Sequence, residues 1–201
     1  MIKLYGTSAS RTFRPLWLME EIGLQYELIS TDFRKGENRT EEYLKINPNG
    51  KVPTLIDGEL VLYESMAINL YLAKQYGNSF YPDNPPQEAL ANMWSYWVMT
   101  EVEYSLLTVL MNTRVLPREK RDPDKVIRNL RVLEAPFAVL NDALAGRAYL
   151  ISEEFSIADL NVAAVLSWCR PAKVDLEQWP HMKDWLMRCI ARPAFKQALK
   201  K

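Results

Sequence analysis

Between a strand-like run, IKLY, and a helix-like run, FRPLWLMEEIG, lies the stretch TSASRT, Thr7 to Thr12. Thr7, Ser8, Ser10 and Thr12 surround Arg11 where a helix N-terminus would present its unpaired N–H groups. Residues of these types suit two jobs. Ser and Thr cap a helix start, and hydroxyls beside a cation and free N–H groups can hold an anion or a thiolate. Taken alone, the stretch fits either job, and capping is the commoner one.

Two further clusters could bind a ligand. Pro53 in KVPTL opens a β-rich run, where a residue without an N–H is tolerated at an edge, a strand start or a cis turn. A cis bond there would present the backbone of Val52 to an extended ligand, strand-fashion. Glu64 and Ser65 precede another helix; Ser65 at its N-cap would suit a carboxylate and Glu64 an ammonium. Together they match the zwitterionic head of an amino acid. An edge proline and a plain cap are the ordinary alternatives.

Other chemistries are excluded by residue counts. His181 is the only histidine, and Cys169 and Cys189 are the only cysteines. Multi-histidine metal sites are therefore impossible, two cysteines argue against a four-ligand zinc site, and no metal is expected. A Ser-His-Asp arrangement would need His181, which stands beside a proline at a helix start. No C-x-x-C pair is present, and two cysteines without a disulfide framework suit a reducing cytoplasm. Twenty-five basic residues balance twenty-five acidic ones, which argues against nucleic-acid or anionic-membrane partners. The N-terminus lacks the pattern of a signal peptide, and no apolar run is long enough to span a bilayer.

The elements that must position these residues can be read from periodicity. Ile2–Tyr5 and Tyr26–Thr31 read as strands joined through the helix FRPLWLMEEI, which ends at Gly23, and so should be parallel. Thr40 with Glu41 and Glu42 reads as a cap ahead of a short helix. KVPTLIDGELVLYE is a hairpin around Asp57-Gly58, and Ser65 caps a helix to Gly77. The order is β-α-β-α-β-β-α. NSFYPDNPPQ comes next as a linker, and no convincing strand appears beyond it. Apolar residues at helical spacing predict a long helix near 86–113 and another from Pro123 to Leu144. FSIADL opens a third, with Ser156 and Asp159 as a capping box and Phe155 and Leu160 as its staple. WPHMKDWLMRCI and PAFKQALK add two more. The chain thus divides into an α/β module at 1–78, a linker at 79–88 and an all-helical module at 89–201.

The succession of strand–TSASR–helix, NPNGKVPTL, LYES before a helix, a linker, FSIADL and WPHMKDWLMRCIARPAF closely resembles the glutathione S-transferase family over nearly the whole chain. Within the family it is similar to the serine-type, theta-like or bacterial/cyanobacterial-like members, with the subclass open. The resemblance implies a thioredoxin-like N-terminal domain that holds glutathione and an all-α C-terminal domain that completes a pocket for a small hydrophobic electrophile. Glutathione would be a co-substrate, with no other cofactor. Carried over residue by residue, Val52 ahead of a cis Pro53 pairs with the cysteinyl part of glutathione. Glu64 and Ser65 hold the γ-glutamyl head, and Lys51, Asn38 and Arg39 reach the glycyl end. Ser10 is the hydroxyl that hydrogen-bonds the sulfur, with Arg11 as a nearby cation; Ser8, Thr12 and Tyr5 remain alternatives, Thr12 rather as the cap. Tyr104, Leu107 and Met111 are candidates for the electrophile pocket. The implied activity is a cytoplasmic, homodimeric transferase of the detoxification type. Isomerisation, dehalogenation or peroxide reduction would use the same thiolate. The alternative is a binding or scaffold protein that keeps the fold without turnover.

Overall fold

The computed structural model describes all 201 residues. They form two units, Met1–Pro82 together with Arg192–Lys201, and Asp83–Ala191.

In the first unit β1 (Ile2–Tyr5), β2 (Tyr26–Ile29), β3 (Thr54–Asp57) and β4 (Leu60–Tyr63) form one sheet in the order β2-β1-β3-β4. β1 and β2 are parallel, as their connection through α1 (Phe13–Ile22) requires. β3 runs antiparallel to β1 and to β4. α2 (Glu41–Ile46) and α3 (Ser65–Tyr76) complete the expected β-α-β-α-β-β-α order. β2 stops at Ile29, where the Thr31 hydroxyl donates to the Ile29 carbonyl at 3.2 Å, so the strand is two residues shorter than the expected Tyr26–Thr31. Gly23 ends α1 in the left-handed region and donates its N–H to the Met19 carbonyl.

One side of α1 packs on α3 and another on α10 (Pro193–Ala198). Phe195 of α10 stands edge-on to Trp17 and Phe13, with ring centroids 4.9 and 5.1 Å away. Arg192 donates to the Glu21 carboxylate through Nε at 2.7 Å. The closing segment, Arg192–Lys201, groups with the α/β unit. Asn84 caps the next helix, accepting from the Gln87 N–H at 3.1 Å.

That helix begins the second unit as α4 (Pro85–Trp97) and continues into α5 (Tyr104–Leu110), followed by α6 (Pro123–Ala143), α7 (Ile157–Leu166), α8 (Cys169–Ala172) and α9 (Pro180–Ala191). The expected single helix near 86–113 is interrupted by wider π turns at Val98–Glu103 and Met111–Val115. Side chains there compete for the helix carbonyls: Thr100 donates to Tyr96 and Trp97, Thr113 to Val109, and Asn112 to Thr108. Every residue of α7 is buried. Its capping box is present, and Asp159 does more than the motif requires. Its Oδ2 accepts from the N–H and hydroxyl of Ser156 at 3.1 and 2.9 Å. Oδ1 accepts from the Leu150 N–H and from Trp185 Nε1, both at 2.9 Å. Burial pushes this carboxyl upward from its ordinary value, and those donors oppose the shift. No helix is long and apolar enough to cross a membrane.

Candidate functional site

The register of the sheet decides where the candidate segments meet. Tyr5 ends β1 and pairs with Thr54, the first residue of β3; Thr54 pairs with Tyr63, the last residue of β4. The three stand in one row across adjacent strands. The loop of Thr7 to Thr12 leaves β1 just beyond Tyr5, Val52-Pro53 leads into Thr54, and Glu64-Ser65 comes directly after Tyr63. All three clusters therefore emerge at the same end of the sheet. Strands lie about 4.8 Å apart, so the row spans roughly 10 Å, about the length of an extended tripeptide.

The first cluster is shaped by Gly6. Its φ of +132° is open to glycine, and a Cβ there would run into the Thr12 side chain. Thr12 is fully buried and takes the N-cap position of α1 expected for it, though its hydroxyl makes no cap hydrogen bond. Ser10 Oγ accepts from the Thr12 N–H at 3.2 Å, which closes a turn within the loop ahead of α1. The Ser10 hydroxyl proton has two acceptors in reach, the Thr7 carbonyl and Thr12 Oγ1, each at 2.8 Å. Ser10 is half-buried and Arg11 exposed. Of the alternatives, Ser8 donates to the Lys201 carbonyl at 2.6 Å, and Tyr5 stands edge-on to Tyr43 with centroids 5.9 Å apart.

At the second cluster the Val52–Pro53 peptide bond is cis. Val52 lies ahead of the β3 ladder, which begins at Thr54. A buried polar network holds the approach to it. The Lys51 carbonyl accepts from the Tyr43 hydroxyl at 2.7 Å and Asn47 Nδ2 at 2.9 Å, and both side chains also reach Thr54 Oγ1. Burial pushes the Tyr43 phenol above its ordinary value, so it stays a donor across the useful pH range. Asn38 is buried and gives its Nδ2 to the Gly50 carbonyl at 2.6 Å. Lys51 and Arg39 are exposed cations, and Arg39 lies over Gly50.

In the third cluster Glu64, not Ser65, occupies the N-cap position of α3, with φ at 73°. Ser65 is the first helical residue and is buried, and Glu64 makes no side-chain cap hydrogen bond. Ser65 Oγ accepts from Arg14 Nη1 at 3.0 Å. Arg14 is itself only 1% exposed. Sequence reasoning missed it, and the available signal was a lone cation on the buried run of α1.

Tyr104, Leu107 and Met111 share one face of α5 and its continuation, in the second unit. Tyr104 is 75% exposed, and Leu107 and Met111 are half-buried. Trp94 and Trp97 pack on each other, centroids 5.0 Å apart. No three His, Cys, Asp or Glu side chains gather to hold a metal ion.

Residues 1–74 match the family model described as the N-terminal domain of glutathione S-transferase, and residues 101–193 match its C-terminal domain. The chain is 31% identical over 203 residues to glutathione S-transferase GstB of Escherichia coli strain K12, an alignment covering 99% of this chain and 98% of that protein. It is 32% identical over 207 residues to glutathione S-transferase 3 of Zea mays, covering 98% of this chain and 93% of that one. Among solved structures it is similar to the theta class glutathione S-transferase of Xanthomonas axonopodis pv. citri with glutathione bound. The TM-score there is 0.92 at 31% identity, over 100% of this chain and 97% of that one.

Proposed function

Because the chain belongs to the glutathione S-transferase family, we propose that it binds glutathione along the end of its sheet and turns the bound thiol into a nucleophile for small hydrophobic electrophiles. The observation that carries this reading is the row of Tyr5, Thr54 and Tyr63, which brings a hydroxyl loop, a free strand end and a helix start together over one tripeptide length.

In this reading the Val52 backbone pairs with the cysteinyl part, as an added strand would. Glu64 meets the γ-glutamyl ammonium and Ser65 its carboxylate. Lys51 and Arg39 attract the glycyl carboxylate, while Asn38 supports them by holding Gly50. The thiol then lies over the loop of Thr7 to Thr12. A free thiol with a pKa of about 8.5 is only roughly 3% thiolate at pH 7. The Ser10 hydroxyl turns from its loop acceptors to the sulfur and stabilises the charged form, and Arg11 adds positive potential. The thiol proton leaves to solvent. The sulfur lone pair forms the new C–S bond, and the leaving group departs with its electron pair, or an activated double bond takes up the electrons and a proton.

The test is an ultraviolet titration of the thiolate absorbance of bound glutathione, in the wild type and in Ser10→Ala. A lowered thiol pKa in the wild type that rises in Ser10→Ala supports the mechanism. An equal fall in both would move the role to Arg11 or another donor. Binding without a shift would favour a non-catalytic binding protein.

A further inference from the structure

The contact between Arg14 and Ser65 joins two elements that the sheet brings to the site from different directions. Arg14 lies in the first turn of α1, below the hydroxyl loop, and Ser65 opens α3. Both are buried, and Arg14 Nη1 lies 3.0 Å from Ser65 Oγ.

A guanidinium carries donors only and keeps its charge at any ordinary pH, whereas a hydroxyl can donate or accept. Facing Arg14, the Ser65 oxygen must accept. Its one proton is then directed to another partner, and accepting from a cation makes that proton a stronger donor. We propose that Arg14 is a positioning residue that sets Ser65 as a hydrogen-bond donor for the α-carboxylate of the γ-glutamyl group. This selects a carboxylate over a neutral amide at that place. The inference rests on the glutathione reading and adds to it a residue that does not itself touch the ligand. It also accounts for an arginine held inside an α/β core. Its aliphatic stem fills space between α1 and α3, and its charge lies where an anionic group is to be held.

The experiment compares calorimetric binding of glutathione and of the analogue whose γ-glutamyl α-carboxylate is a carboxamide. Wild type and Arg14→Gln are compared, with folding of each checked by circular dichroism. The wild type should prefer glutathione, and Arg14→Gln should weaken glutathione about ten-fold or more while changing the amide much less. Arg14→Lys keeps a buried cation and donor and should recover part of the preference; it carries the test if the glutamine variant does not fold. A variant that weakens both ligands by the same factor has lost only packing and overturns the inference, leaving the glutathione reading intact. Failure of the wild type to bind glutathione overturns both.

Discussion

Phe195 stands edge-on to Trp17 with ring centroids 4.9 Å apart, so the last helix of the chain is part of the core of its first unit. Trp17 is fully buried on α1, the helix whose start carries the hydroxyl loop and Arg14. Truncating a buried phenylalanine costs about 3–5 kcal/mol. Phe195→Ala should therefore destabilise the α/β unit by that order, measured as a shift of the urea midpoint followed by circular dichroism. A change below about 1 kcal/mol would mean that α10 is a dispensable appendage.

Asp159 is the corresponding anchor of the second unit. Removing its carboxylate orphans the Leu150 N–H, the Trp185 indole N–H and the Ser156 N–H in a buried setting. Each such donor costs about 1–3 kcal/mol when unpaired. Asp159→Ala should lose roughly 3 kcal/mol or more in urea unfolding. Asp159→Asn should lose less but not recover, since its amide would place a donor where Ser156 also donates.

Much of this arrangement was legible in the sequence, for local reasons. Gly23 and Asp57-Gly58 announce their own backbone conformations, and the Ser156/Asp159 box depends on a three-residue spacing that any chain can be scanned for. What escaped depends on distant partners. Ser65 reads as a cap because Ser usually is one. The cap position falls on Glu64 because that residue takes a φ of 73°, a conformation its type does not advertise. The partner of Arg14 is Ser65, which α3 supplies from 51 residues away along the chain. The docking of α10 on Trp17 requires knowing which face of α1 is left uncovered, and a period of 3.6 states only that a face is apolar.

The cysteines give a chemical check on the same fold. Cys169 and Cys189 are 2% and 0% exposed, and burial pushes the Cys169 thiol up to about 12. Thiolate is the reactive form, so neither should compete with glutathione's sulfur. An aromatic disulfide reagent at pH 8 should find no fast-reacting thiol in the native protein and both after denaturation. A rapid native reaction would show that α8 or α9 opens.

The role of Ser10 has a pH signature with a definite sign. A donor to the sulfur lowers the thiol pKa on the protein, so the thiolate population is present above that lowered value and lost as pH falls through it. Without the donor the midpoint should move up by about 1–2 pKa units, toward the free value of about 8.5. The activity ratio of wild type to Ser10→Ala should then be largest near pH 6, about ten-fold or more, and shrink as pH rises past the free thiol's pKa. Steady-state rates with a chromogenic aryl halide whose chemistry is slow, taken from pH 5.5 to about 9.5, give the profile. Loss of rate by one factor at every pH would assign Ser10 to positioning of the ligand, with its oxygen still committed to the Thr12 N–H, and would leave Arg11 as the source of any pKa shift.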